Sequence, residues 1–265
     1  MASNWHRTGE ILKQTFRLAA KDKDLYWPPI LNLLVNFGLL VLLIVSFLVY
    51  GLSPFGVLLL VLLFFGSFLT TAIFGAALSW MTLEVVRGED THLGSGLRRA
   101  FSRFSSLAAY AFVALLIQLL VSQLRDNRNG SFLVMLVKRF FAGVIDEAWD
   151  IAGNFMLPAI ALTDHGFKGA VKELPVLLKH LPQALVGGFA FDLVLGWVIL
   201  LDIAVAALFG WLLAAISPLG GLLAGIALAF VLIIATVVFH GFVKSVYFTN
   251  LYLDLHPEMK KGKKA

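Results

Sequence analysis

The chain has 265 residues, of which 60% are hydrophobic and 14% charged, and it contains 0 Cys. Soluble domains are about 45–50% apolar and about 25% charged, so this chain holds more apolar material than one soluble core of its size could bury. Composition therefore excludes a soluble enzyme, a disordered chain, a disulfide scaffold and any site built from cysteine thiolates.

The apolar residues form six stretches long enough to cross a bilayer, which takes about 20 residues of helix. Alternation with period 2 is absent, and a backbone in lipid must satisfy its own hydrogen bonds, so each stretch is predicted to be a helix. We therefore predict an all-α polytopic membrane bundle, with 1–265 as one membrane domain. The spans are predicted at 28–52, 55–83, 105–124, 132–162, 184–216 and 219–251.

Lysine and arginine concentrate on one side of this predicted bundle. Five precede the first span, four lie between the second and third, three between the fourth and fifth, and four in the tail, together sixteen of the 21. Because cytoplasmic loops are rich in Lys and Arg, both chain ends are predicted to be cytoplasmic. The net charge of +5 then needs no nucleic acid as partner, and membrane lipids with anionic headgroups are the expected neighbours.

Three segments on the basic side have the pattern of basic amphipathic helices: 10–18, 96–104 and 167–174. Each precedes a hairpin of two spans, and such helices are expected to lie in the membrane interface. The first belongs to a cytoplasmic segment at 1–26, and a basic cytoplasmic tail is predicted at 256–265. This recurring order of one amphipathic segment and two spans indicates a threefold internal repeat. The alternative is that any bundle with an even number of spans and short outer turns shows the same alternation.

Short motifs resemble those of a known family: KDKDL at 21–25, RGED at 87–90 with LGSGLRRAF at 93–101, and LPAI at 157–160 with GFKGAVK at 166–172. They are similar to an uncharacterised prokaryotic family of six-span membrane proteins, domain of unknown function 6159. The resemblance covers most of the chain and implies a multi-pass protein of a prokaryotic inner membrane, without implying an activity. The fourth span is more acidic than the family pattern. A second similarity, in architecture alone, is to sulfate permeases of the CysZ type.

Polar residues form a stripe within about 100° of arc on the fourth predicted span. A charge at the bilayer centre costs roughly 2.5–3.5 kcal/mol on insertion scales, so these groups should face water, each other or a partner subunit. One hypothesis is a water-lined path in a homo-oligomer, where Asp146 and Asp150 attract a cation. The alternative is an amphipathic helix outside the membrane at 133–150, with only 151–162 buried. The stripe contains Arg139, Asp146, Glu147, Asp150 and Asn154.

The last two spans carry four further candidates. Asp192 lies among small residues, where a neighbouring helix can approach and supply a partner. Asp202, near the middle of its span, is expected to be protonated, paired or on an ion or proton route. A second hypothesis joins Asp202 and His240 as a protonatable pair, and the alternative is a structural histidine. Lys244 is expected to reach towards the cytoplasmic end.

Stripes of small and hydroxyl residues are predicted to bring helices together, and asparagines on the first span to hydrogen-bond between helices. A narrow pore lining is the alternative for the stripes. The residues are Asn32 and Asn36, then Ser67, Thr71, Gly75 and Ser79, and finally Gly221, Gly225 and Ala229.

Motifs of nucleophile elbows, phosphate-binding loops and zinc proteases are absent from the sequence. We therefore expect neither an enzyme nor a bound cofactor or metal. The leading interpretation is an oligomeric channel or transporter for a small ion or solute, with a polar path along the fourth span. The alternative is a non-conducting membrane scaffold or lipid-interacting protein that works through its basic helices.

Overall fold

The computed structural model describes residues 2–125, 132–177 and 181–261, and their regular structure is helical without strands. Residues 126–131, in the connection between the third and fourth predicted spans, and the last four residues of the predicted tail lie outside this part of the chain. The all-α prediction is confirmed. The helices are α1 Ala2–Lys21, α2 Trp27–Tyr50, α3 Pro54–Arg87, α4 Leu93–Ser102, α5 Phe104–Arg125, α6 Phe132–Leu162, α7 Gly166–Leu177, α8 Leu181–Ala214, α9 Pro218–Leu255 and α10 Pro257–Lys260.

Within the described part of the chain, five helices are long and apolar enough to cross a membrane, which makes the chain a multi-pass membrane protein by length and composition. α6, the fourth predicted span, is one continuous helix of 31 residues, but it carries too many charged residues to be counted among these apolar helices. The five apolar segments are Lys23–Tyr50, Pro54–Arg87, Phe104–Arg125, Asp192–Ala214 and Pro218–Leu255.

Tight turns at one end of the bundle join α2 to α3 and α8 to α9. Ser53 and Ser217 cap the helices that follow, because each side-chain oxygen accepts a hydrogen bond of 3.2 Å from a backbone N–H, of Gly56 and Gly220 respectively. A proline follows each serine, at the first helical position. Serine caps and first-turn prolines both favour helix starts, so these sequences set where α3 and α9 begin.

The buried core lies at the opposite end, where α3, α6 and α9 finish. Met81, Phe155, Tyr247 and Tyr252 are among its largest fully buried side chains. The three predicted amphipathic segments form α1, α4 and much of α7 around this core. Large apolar side chains are exposed along much of α2, α8 and α9, as expected for helices that face lipid.

Arg99 links α4 to the end of α6 through hydrogen bonds. Its Nε donates to the carbonyl of Ala161 at 2.7 Å and its Nη2 to that of Thr163 at 3.2 Å, while the guanidinium lies 4.8 Å from the ring centroid of Trp80. The last carbonyls of a helix lack partners within it, and a cation stabilises them. Burial lowers the pKa of Arg99 from its ordinary value, yet arginine keeps its charge in proteins.

Small residues hold α8 and α9 close together, as predicted for the Gly221 stripe. An added Cβ on Gly221 would overlap backbone atoms of Ala214 and Gly210, and one on Gly225 would lie 3.1 Å from the carbonyl oxygen of Ala206. Such close backbone approach is what small residues permit in membrane bundles. The packing interpretation of this stripe is confirmed.

Gly221→Ala should therefore lower the stability of the purified protein. The helices must separate to admit the methyl group, at a cost of about 1–3 kcal/mol. Gly196→Ala on α8 is the matched control, because its Cβ meets nothing within 4 Å. It should leave stability unchanged or raise it slightly, since alanine favours helix. Thermal unfolding in detergent measures both, and equal midpoints would contradict this account.

A polar cavity beside an ionic cluster

Lys244 on α9 joins carboxylates from two other helices. Its Nζ lies 3.0 Å from Asp150 Oδ2 on α6, and 3.1 and 3.3 Å from the two carboxylate oxygens of Asp192 on α8. His240, one turn earlier, has its Nε2 3.1 Å from Asp192 Oδ1. The two basic side chains are 13% and 14% exposed, while the carboxylates are almost half exposed. We call Asp150, Asp192, His240 and Lys244 the ionic cluster.

The ionic cluster lies far along its helices from the tight turn. Lys244 is about 39 Å along α9 from Pro218, and Asp192 is about 33 Å along α8 from Ala214. A hydrocarbon layer about 30 Å thick that starts at this turn would end close to the cluster. Charged groups cost less there than at the bilayer centre, which explains why this part of the bundle tolerates several of them.

The predicted pairing of Asp202 with His240 is wrong. Asp202 Oδ2 accepts a hydrogen bond of 2.7 Å from the Thr236 hydroxyl, whereas His240 contacts Asp192. The axial register of α8 against α9 decides this, and the sequence offers no direct signal for it. The partner expected for Asp192 is confirmed. Lys244 is held by two carboxylates rather than reaching away towards the helix end.

The two aspartates of the α6 stripe have different partners. Asp146 accepts hydrogen bonds from Arg125 at 2.6 Å and from Gln118 at 3.0 Å, both on α5, while Asp150 faces Lys244 on α9. Each aspartate thus lies beside a cation of the same chain, and the two cations belong to different helices. The other stripe charges, Arg139 and Glu147, are exposed on the helix surface.

A cavity of about 400 Å³ lies between α2, α3, α6 and α9. On its α2 side, Asn36 Nδ2 donates to Asn32 Oδ1 at 2.7 Å, and the Ser67 hydroxyl donates to Asn36 Oδ1. Thr71 donates to Asn32 Oδ1 at 3.4 Å. These contacts confirm that the asparagines join helices. The polar residues that line the cavity are Asn32, Asn36, Thr71, Asn154 and Ser245.

Asn154 connects this cavity to the ionic cluster. Its side chain lines the cavity, and its Nδ2 donates to the backbone oxygen of Asp150 at 2.8 Å and to Asp150 Oδ1 at 3.3 Å. Gly241 and Ser245 line the cavity from α9, next to His240 and Lys244 on the neighbouring face. The described residues that line the cavity carry apolar, amide or hydroxyl side chains. Convergent polar groups in a mostly apolar wall are typical of sites for small ligands.

The apolar helices and their internal polar groups define the class of the protein, a multi-pass helical membrane protein. A family model described as "Family of unknown function (DUF6159)" matches residues 40–256, so the chain belongs to this family. The resemblance drawn from the short motifs is confirmed. No curated protein matches the chain. The architectural similarity to CysZ-type permeases receives no further support.

Lys244→Met should destabilise the protein more than Asp150→Asn or Asp192→Asn does. Methionine keeps most of the volume but leaves two carboxylates facing each other, whereas each asparagine variant leaves Lys244 one carboxylate. Removing one partner of a buried ion pair costs about 3–5 kcal/mol of stability. We expect a smaller loss here, because the two carboxylates are almost half exposed and solvent screens their charges.

Thermal unfolding in detergent measures this order of stabilities. Lys172→Met, on an exposed position of α7, is the control and should change little. A loss in Asp192→Asn as large as that in Lys244→Met would contradict the bridging role of the lysine.

Proposed function

We propose that the protein is a membrane transporter or channel that passes a small polar solute or ion through the cavity between α2, α3, α6 and α9. The observation that carries this proposal is the cavity itself, about 400 Å³ with amide and hydroxyl groups in its wall. Polar groups inside an apolar bundle are costly, and in membrane proteins they commonly mark substrate and ion routes.

The fourth span contributes to this path through Asn154 in particular. Asn154 lines the cavity and would contact the solute, while Asp150 holds its amide and binds Lys244. Asp146 is engaged by Arg125 on α5 and would stabilise α6 rather than bind solute. In this proposal the ionic cluster positions the cavity wall, and Asp202, paired with Thr236, fixes α8 against α9.

At the end of the cavity next to the buried core, packed side chains close the path. This arrangement favours a transporter that changes shape over a permanently open pore. Leu78, Leu157 and Phe242 line the cavity on that side. Behind them the rings of Phe155 and Phe248 lie edge to face, with centroids 5.2 Å apart. Passage to the side of the chain ends requires these side chains to separate, which is the kind of two-state motion that transporters use.

We place the protein in a prokaryotic inner membrane with six spans, both chain ends in the cytoplasm, and a homo-oligomer as its assembly. Single cysteines test this topology cleanly, because the chain contains 0 Cys. Ser53→Cys and Ser217→Cys should both react with a membrane-impermeant thiol reagent added to intact cells. Lys172→Cys should react only after permeabilisation. If α6 does not cross, Ser217→Cys and Ser53→Cys will label from opposite sides.

Gly241→Leu should block solute passage. Gly241 lines the cavity, and an added Cβ there meets nothing within 4 Å, so the larger side chain can extend into the space. Gly38→Leu on α2 is the matched control, since its Cβ also meets nothing and Gly38 does not line the cavity. We expect uptake to fall at least roughly tenfold in the first variant and to persist in the second.

Uptake is measured in proteoliposomes with a panel of sugar alcohols, monovalent cations and inorganic anions. Thermal unfolding confirms that both variants are folded. Equal uptake by the two variants would contradict a path through this cavity. A folded, oriented protein that passes nothing would favour the alternative, a non-conducting scaffold or lipid-interacting protein.

A further inference from the structure

A second cavity, about 390 Å³, forms a groove between α8 and α9 beneath α1. Of the nine described residues that line it, seven are apolar. The two polar ones are already engaged, Thr236 with Asp202 and His240 with Asp192. The groove therefore offers a hydrocarbon-like wall, unlike the amide-lined cavity on the other side of α9.

The groove is open to the lipid environment. Val194 and Phe239 form part of its wall and are 56% and 46% exposed, and Trp197 beside it on α8 is 68% exposed. Along α9 it extends from Ala235 to Val243, about 12 Å of helix. A hydrocarbon chain of the surrounding membrane can enter such a groove from the side.

Positive charge lies at the α1 end of the groove. Phe16 of α1 forms that end and is half exposed. Lys13 and Arg17 lie one turn apart on α1, on either side of Phe16 in the sequence, and both are exposed. Both aspartates that contact residues of the wall are engaged, Asp192 by His240 and Lys244 and Asp202 by Thr236. The helix above an apolar groove thus presents two cations.

We propose that this groove holds an acyl chain of an anionic phospholipid whose phosphate is bound by Lys13 and Arg17. Basic residues at a membrane surface attract anionic lipids, and the aromatic ring of Phe16 suits the boundary between headgroup and chain. Free inorganic phosphate would lack the contribution of the groove. The proposal does not rest on the proposed transport path.

The test uses purified protein in mixed micelles with phosphatidylglycerol and phosphatidylcholine of matched chains, and native mass spectrometry counts the retained lipids. Wild-type protein should retain phosphatidylglycerol in preference, by roughly fivefold. The variant with Lys13→Gln and Arg17→Gln should lose that preference. The variant with Lys168→Gln and Lys172→Gln is the matched control, since it removes an exposed basic pair of the same spacing from α7.

A variant that fills the groove distinguishes the contribution of the acyl chain to lipid binding from that of the headgroup. Ala235→Trp should reduce retention of both lipids equally, because it occupies the apolar space without changing charge. Val198→Trp repeats this test from α8. Circular dichroism and thermal unfolding establish that each variant is folded. No preference in wild type, equal losses in the two glutamine pairs, or unchanged retention in both groove-filling variants would each overturn the proposal.

Discussion

The ion pairs of Lys244 are the contacts that join all three of the last long helices, α6, α8 and α9, at one place. Lys244 draws together Asp150 of α6 and Asp192 of α8 on one face of α9. α6 is too highly charged to count as an apolar span, yet the aspartates of its polar stripe each lie beside a cation, Asp146 by Arg125 and Asp150 by Lys244. Neutralisation by neighbouring helices is what allows such a helix to join an apolar bundle.

The same cluster places the polar wall of the cavity. Asp150 accepts a hydrogen bond from the side-chain amide of Asn154, one turn further along α6, and Asn154 lines the cavity together with Ser245 and Gly241. On the α2 side, Asn36 donates a hydrogen bond to Asn32, and both asparagines accept hydrogen bonds from hydroxyl groups of α3. The amides are thus held by hydrogen bonds that leave them lining a space large enough for a small solute.

The sequence was sufficient to predict the long helices, the amphipathic segments, the close contact of small residues on α9 with α8 and the face of α6 that carries the polar stripe. It could not predict which charges meet. Helical periodicity assigns Asp192, Asp202 and His240 to faces, but the partner of His240 depends on the axial register of α8 and α9. That register is held by close contact of Gly210 with Gly221. Asp146 and Asp150 likewise share a face, yet their distances to α5 and α9 are tertiary facts.

α9 separates two cavities that differ in polarity, and residues of the ionic cluster lie on α9 between them. His240 forms part of the apolar groove wall, while Gly241 and Ser245 form part of the polar cavity wall. A lipid chain in the groove would lie against His240, whose contact with Asp192 continues through Lys244 to Asp150 and Asn154. A membrane lipid and a solute would then act on opposite faces of one helix, joined by a continuous chain of hydrogen bonds and ion pairs.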